Sequence, residues 1–219
     1  ITEIAALKVV DGVISKRYVT FVNPGRSLGA HITQLTGITD KMLADAPPIE
    51  ELIEDVVRFC GDLPLLGHNI RFDYSFLKHA AVNRGLEFER HGIDTLTLCR
   101  AFMTGDTRKN LSCACAYFHV PQSTAHRAQA DAEAAHLLYQ ELMSRHSQDQ
   151  PDLFAPRPLI YKAKRDQAAT KRQKEYLQDL LKCHRIDVTV QIEDMSRSQA
   201  SRMIDTIISQ YGRIPRQIS

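Results

Sequence analysis

Two short stretches hold the side chains best suited to chemistry. In the first, His126 is followed by Asp131, and an apolar series at helical spacing comes next: Ala134, Ala135, Leu137, Leu138 and Leu142. Five residues turn a helix by about 500°, so the two side chains cannot share one helical face. The spacing predicts His126 in an entering loop, Asp131 one turn inside the helix, and Thr124 as N-cap. Both reactive groups then point into a cleft at the helix start, where the helix dipole favours anions such as phosphate. A loop imidazole beside a carboxylate suits general-base chemistry or metal ligation. The plainer alternative is a pair that only caps and complements the helix. In the second stretch, His68-Asn69-Ile70-Arg71-Phe72-Asp73 follows a short apolar run, residues 63–67, bounded by breakers.

The elements that must position these residues are legible in outline. Residues 1–10 and 13–22 read as two strands around a two-residue Asp11-Gly12 turn. A lone hairpin is marginal in water, so a further strand beside it is expected. A long loop with short helices follows, and then Ile49, Leu52, Ile53, Val56, Val57 and Cys60 recur at helical spacing. The run at 63–67 reads as a buried strand. Phe72, Phe76, Leu77 and Ala80 begin an amphipathic helix that ends near Gly85. Residues 88–94 return as a strand, residues 96–103 and 111–119 read as helices, and the helix after Asp131 runs to about Arg145. Strands first, then strands alternating with helices, indicate an α/β layered fold with a mixed sheet. Asp73 and the His126/Asp131 pair fall at strand ends or helix starts, where such sheets place their sites.

Composition narrows the class. With 219 residues, 43% hydrophobic and 25% charged, the chain fits one domain of about 150 residues and a small appendage. No apolar run approaches the ~20 residues of a membrane span, so no membrane partner is expected. The five cysteines, Cys60, Cys99, Cys113, Cys115 and Cys183, are odd in number and scattered. That pattern predicts reduced thiols and a cytoplasmic setting. Cys113-Ala114-Cys115 lacks a second Cys/His pair at zinc spacing. A net charge of +2 does not by itself imply nucleic acid.

Taken in order, His68-Asn69-x-x-Phe72-Asp73-x-x-Phe76-Leu77 and His126-x4-Asp131 resemble the DEDD-type 3′→5′ exonucleases. The likeness is to the histidine-containing branch that includes the proofreading epsilon subunit of bacterial DNA polymerase III and ribonuclease T. It extends from Ile1 to about Arg145, through Glu3-Ile4-Ala5-Ala6, Leu35-Thr36-Gly37-Ile38-Thr39, Ile93-Asp94-Thr95 and Asn110-Leu111. The resemblance implies a ribonuclease H-like mixed sheet flanked by helices, and two divalent metal ions, Mg or Mn. It implies Asp131 as a direct metal ligand, Asp73 as support for the second metal, and His126 as the base that deprotonates the attacking water. The family's other two carboxylates form an Asp-x-Glu on a first strand, expected upstream of Ile1. Glu3 is not expected to replace them, because strand alternation makes it a sheet-face residue. With Asp73 and Asp131 alone, the chain as written is expected to hydrolyse nucleic acid poorly. His68, Asn69 and Phe72 are candidate substrate contacts, with loop stabilisation competing for the first two and a core position for Phe72. Thr36, Ile38 and Thr39 are candidates for lining the terminal-nucleotide pocket. Asp94 and a helix-capping Asp73 are the bland readings of the remaining acids. Implied partners are DNA with single-stranded 3′ ends or RNA, and a DNA polymerase or other replication protein.

The rest of the chain reads as separate. Residues 1–146 form the exonuclease-like part, 147–168 a linker that turns basic, and 169–212 a small helical module. Thr170-x-x-Gln173 and Ser196-x-x-Gln199 are capping-box patterns. Tyr176, Leu177, Leu180 and Leu181 form one apolar face, Ala200, Met203, Ile204, Ile207 and Ile208 another, with Val188, Val190 and Ile192 in an extended connector. The module resembles small helical modules appended to nucleic-acid enzymes. Two functional classes are consistent with the whole: a metal-dependent exonuclease acting on DNA in proofreading or repair, or on RNA ends, and a catalytically silent nucleic-acid-binding or interaction module.

Overall fold

The structure, a computed structural model, describes residues 1–123, 126–187 and 191–214. Thr124, proposed as an N-cap, and Val188 and Val190, assigned to the connector, lie outside the described residues. The chain forms two compact units: residues 1–23 with 29–164, and residues 24–28 with 165–219.

The first unit opens with strands β1 (Glu3–Val10) and β2 (Val13–Phe21), paired antiparallel with Glu3 opposite Phe21. Asp11 and Gly12 both take positive φ, 50° and 77°, as a tight hairpin turn requires. Short helices α1 (Ala30–Thr36) and α2 (Asp40–Leu43) precede α3 (Ile49–Cys60), which buries Ile53, Val56 and Cys60 at the predicted spacing. Strand β3 (Leu65–Gly67), helix α4 (Ile70–Asn83), strand β4 (His91–Asp94), helix α5 (Thr95–Phe102), helix α6 (Leu111–Tyr117) and helix α7 (Ala128–His146) follow. A 3-10 turn at Pro151–Leu153 leads to β5 (Arg157–Pro158).

The fold is α/β, but the expected mixed sheet is in two pieces. Strands β1 and β2 form one sheet; β3, β4 and β5 form the other, with β3 parallel to β4 and β5 antiparallel to it. Helix α7 packs against both β1 and β3 and so spans the two sheets. It also holds the hairpin tip: His136 Nε2 and Gln140 Nε2 lie 3.1 and 2.8 Å from the Gly12 carbonyl. Leu138 and Leu142 of α7 are fully buried with Leu98, Cys99, Phe118 and Phe154. Each such side chain contributes roughly 1.5–3 kcal/mol. A second cluster joins Ile4, Val22, Ile53, Tyr74, Phe88 and Leu159 under α3 and α4.

The segment read as a linker is packed as far as Leu159. Phe154 and Leu159 are buried in the two clusters, β5 pairs with β4, and the Leu159 N–H donates to the Arg90 carbonyl at 2.8 Å. Polar composition and three prolines concealed two apolar anchors. A hollow of about 340 Å³ lined by Glu89–His91 and residues 158–162 lies at the start of β4, the opposite end of the strand from Asp94.

The second unit contains α8 (Lys171–His184), a 3-10 turn at Ile192–Asp194, and α9 (Arg197–Tyr211). Leu177, Leu180, Leu181, Met195, Ala200 and Ile207 form its core. Tyr176, grouped above with the apolar face, is 36% exposed instead.

Candidate active site

The β3–α4 corner is built from backbone constraints. Asn69 caps α4 in the left-handed region, φ 65°, a conformation that asparagine tolerates better than most residues. Its N–H donates to Asp94 Oδ1 at 2.8 Å, and the same oxygen accepts the Leu96 N–H at 3.0 Å. Asp94 thus caps α5 and ties the ends of the two parallel strands together. His68 completes the corner. Its Nε2 lies 2.7 Å from the Lys109 carbonyl, which can only accept, so Nε2 carries the proton. Its Nδ1 then accepts from the Thr95 hydroxyl at 3.0 Å. Burial lowers the His68 pKa, with the Lys109 carbonyl and Asp94 opposing, and keeps the ring neutral. Both nitrogens expected to meet substrate are engaged inside the protein, so the geometry supports loop stabilisation.

Asp73 sits in the first turn of this helix. It is solvent-exposed, yet enough protein surrounds it for desolvation to be the largest cause of a raised pKa, followed among the raising effects by the charges of Asp94 and Asp131. Asp73 and Asp131 therefore lie within electrostatic reach of each other. Phe72 and Phe76, next to Asp73, are 59% and 46% exposed and meet edge to face at 5.0 Å. Phe72 is thus not a core residue.

The second half of the site is the start of α7. Asp131 lies in its first turn and His126 precedes it in the left-handed region, φ 65°, exposed, as the spacing predicted. What holds them is different. The N-cap is Arg127, which makes no side-chain cap bond. The cap comes from β1: Glu3 Oε2 accepts the Ala128 N–H at 2.9 Å, and the Glu3 carboxylate takes two bonds from Arg127 at 2.8 and 3.2 Å. The Glu3 side chain is only 7% exposed. Burial alone would raise its pKa, but Arg127 and the Ala128 N–H outweigh burial and lower it. Asp131 Oδ1 accepts from the His126 N–H and from Gln122 Nε2, both at 3.3 Å. Burial raises the Asp131 pKa; the His126 N–H, the His126 ring and Gln122 oppose this, and Glu3 adds to the rise.

The structure thus brings Asp73, Asp131 and His126 to one region and leaves Glu3, read above as a sheet-face residue, and Gln122, which the sequence did not single out, as the groups holding Asp131's helix. Glu3 carries no local signal, because its partners are more than a hundred residues away. Of the pocket candidates, Thr39 is exposed. Thr36 spends its hydroxyl on the Ile32 carbonyl at 2.8 Å and accepts the Ile38 N–H at 3.2 Å. Ile38 is 1% exposed, so its side chain packs inward rather than lining an open pocket.

The fold and site define an α/β protein with two carboxylates within electrostatic reach of each other and a histidine at the start of a long helix. The chain belongs to the exonuclease family whose model matches residues 1–139. It is 41% identical over 146 residues to a PolC-type DNA polymerase III of Bacillus subtilis, and 30% identical over 146 residues to the 3′-5′ exonuclease DinG of the same organism. Those alignments cover 65% and 66% of this chain but 10% and 16% of the relatives, so the chain spans a small part of their length. Exonuclease X, solved with 5′ overhanging duplex DNA, aligns with a TM-score of 0.55 at 25% identity, covering 71% of this chain and 91% of that one. A 3′-exonuclease solved on a histone mRNA stem-loop shares the fold at a TM-score of 0.53 and 13% identity, over 66% of this chain and 71% of that one.

Exonucleases of this kind use divalent metals, and Asp73 and Asp131 fit such an ion. Burial is the largest cause of the raised pKa of both carboxyls, and carboxylate oxygens suit hard cations. Among the described residues no group of three or more His, Cys, Asp or Glu could hold a metal, so these two carboxylates are only part of a ligand set.

Proposed function

We propose that the protein is a metal-dependent 3′→5′ exonuclease that releases nucleotides from DNA 3′ ends, in proofreading or repair. The observation that carries this reading is the pairing, across two helix starts, of Asp73 with Asp131 beside His126 in a member of this family. Asp131 and Asp73 hold the divalent ions, Mg or Mn. Such ions, when bound, lower the pKa of a coordinated water and neutralise charge on the leaving 3′ oxygen. The His126 imidazole accepts the water's proton from its loop position. Asp131 keeps the loop placed through the His126 N–H. Asp94 and His68 keep the α4 start rigid, and exposed Phe72 offers an aromatic face to the terminal base. Asn69 and Thr39 are further candidate contacts at the same corner.

DNA is favoured over RNA because the relative at 41% identity carries a DNA polymerase name, and because the structural match at 25% was solved with DNA. A replicative polymerase is the corresponding partner. No helix among the described residues is long and apolar enough to cross a membrane, and the buried free thiols Cys60, Cys99 and Cys115 suit a reducing, cytoplasmic setting. Burial pushes the Cys99 thiol up to about 12, which leaves it inert. The test is hydrolysis of 3′-labelled DNA and RNA of matched sequence by the intact protein with Mg²⁺ or Mn²⁺. The expected result is stepwise loss of DNA 3′ nucleotides that His126→Ala slows by about 10²–10⁴-fold and Asp131→Asn abolishes. Binding without cleavage under all metal conditions would leave the silent-module reading in its place.

A further inference from the structure

Charge is divided unevenly along the chain. Of 28 Lys and Arg and 26 Asp and Glu, residues 24–28 and 165–219 hold 11 and 7, a net +4 that leaves −2 on the unit bearing the candidate active site. A net acidic unit whose reactive groups are carboxylates repels a polyanion; the other unit attracts one.

Within the second unit the positive charge gathers at one end. Gln173, at the third position of α8, donates from Nε2 to the Arg197 carbonyl at 3.2 Å and to Ser201 Oγ at 2.9 Å. Helices α8 and α9 therefore begin side by side. The segment before α8 joins them: Ala168 bridges to Ser196, and the Arg197 N–H donates to the Gln167 carbonyl at 2.7 Å. Arg165, Lys171, Arg172 and Arg197 lie at or within a few residues of these helix starts, Arg202 lies in the second turn of α9, and all are exposed. The acids nearby are mostly engaged. The Ser196 hydroxyl donates to Asp166 at 3.4 Å, and Glu193 takes Lys174 at 2.7 Å. Glu175 lies 3.8 Å from Lys171 in a loose, exposed pair, and Asp205 sits further along α9. Tyr176 is one helical turn beyond Arg172, on the same exposed face, and offers a ring on which a base can stack.

We infer that this end of the second unit, Arg165, Lys171, Arg172, Arg197 and Arg202 with Tyr176, is a surface that binds the phosphate backbone of single-stranded nucleic acid. The identity of the polymer rests on the nuclease reading; the charge argument does not. An exposed aromatic among spaced guanidinium and ammonium groups matches a strand with alternating phosphates and bases. An acidic peptide supplies no stacking partner for Tyr176. Binding here tethers the strand without contributing to chemistry, because none of these residues belongs to the candidate active site.

The test uses the intact chain in EDTA, so that binding is read without cleavage, by anisotropy of a labelled single-stranded DNA across salt concentrations. The triple variant Lys171→Gln, Arg172→Gln, Arg197→Gln is expected to lower the log–log salt slope by about 2, at roughly 0.7 per phosphate contact. Between 50 and 200 mM salt, that slope difference changes the relative affinity by about 16-fold. The charge-keeping swap Lys171→Arg, Arg172→Lys, Arg197→Lys should retain the slope. Should the triple variant not fold, the single substitutions, each expected to lower the slope by about 0.7, decide the point. Unchanged affinity and slope overturn the inference. So does a loss of binding to polyglutamate with DNA binding intact, which would assign the surface to an acidic protein. A protein that binds DNA through these residues yet never cleaves it refutes the nuclease proposal and leaves this one standing.

Discussion

The starts of α7 and α8 are held by opposite means. Helix α8 caps itself: Thr170 Oγ1 accepts the Gln173 N–H at 3.2 Å while Gln173 Oε1 accepts the Thr170 N–H at 3.1 Å. Helix α9 repeats this with Ser196 and Gln199 at 3.2 and 2.9 Å. At α7 the N-cap side chain makes no such bond, and Glu3, arriving from the first strand, takes its place. A capping box is set by residues three apart in sequence, although here Gln173 also ties α8 to α9. A cap delivered from a distant strand makes the position of Asp131 depend on the docking of β1. The region that carries the candidate chemistry is thus the one whose geometry is set by tertiary contacts, and the unit without it is locally self-sufficient.

Five substitutions probe that contrast. The largest effect is expected at the α7 start: His126→Ala should lower turnover by about 10²–10⁴-fold with divalent-metal affinity nearly unchanged, the usual contribution of a positioned base. Single-turnover cleavage of labelled DNA measures it, and undiminished activity would remove His126 from that role.

Next comes Glu3→Gln. It breaks a largely buried ion pair with a partly exposed Arg127 and is expected to cost about 2 kcal/mol in urea unfolding. Because the folded Glu3 pKa is lowered, its stabilisation is present above the unfolded value of 4.5 and is lost as pH falls through the folded one. The variant should therefore show a flatter acid limb, and turnover should fall with stability, since Asp131 rides on the same helix. Unimpaired turnover would mean that α7 is placed without Glu3, and the contrast between the two helix starts would fail.

Thr170→Ala and Ser196→Ala are expected to cost about 1 kcal/mol each, as lost N-caps do. Amide hydrogen exchange should report faster opening of α8 or α9 alone, with turnover at saturating substrate preserved. Exchange that also quickens in α7 would show that the two units are not independent.

The smallest effect belongs to Asp73→Asn in metal-free protein. A raised folded pKa contributes stability fully present below the unfolded value of 3.8 and lost as pH rises through the folded pKa. At pH 7 the charged Asp73 is thus a cost that asparagine relieves, and the melting temperature should rise slightly. Added Mg²⁺ should stabilise the parent protein and not the variant. A lower melting temperature in EDTA would show that Asp73 is stabilised by its surroundings rather than strained by them.

Much of this molecule is set by neighbours in sequence. The Asp11-Gly12 turn, the capping boxes, the α3 stripe and the positions of Asp73, His126 and Asp131 relative to their helices all depend on contacts within a few residues, and periodicity and turn chemistry report such contacts directly. Other features depend on which distant groups meet. In the sequence His68 is open between a substrate contact and a loop-stabilising role, and only the structure places Thr95 and Lys109 on its two nitrogens. Ile38 looked like a pocket wall and packs inward. Residues 147–168 looked like a linker, and within them Phe154 and Leu159 enter two cores. Glu3 looked like a sheet-face residue and holds the helix that carries Asp131. Hydrogen-bond capacity and apolar surface are properties of a residue type, and the sequence alone determines them. Which partner satisfies that capacity is decided by long-range packing, and only the tertiary structure supplies it.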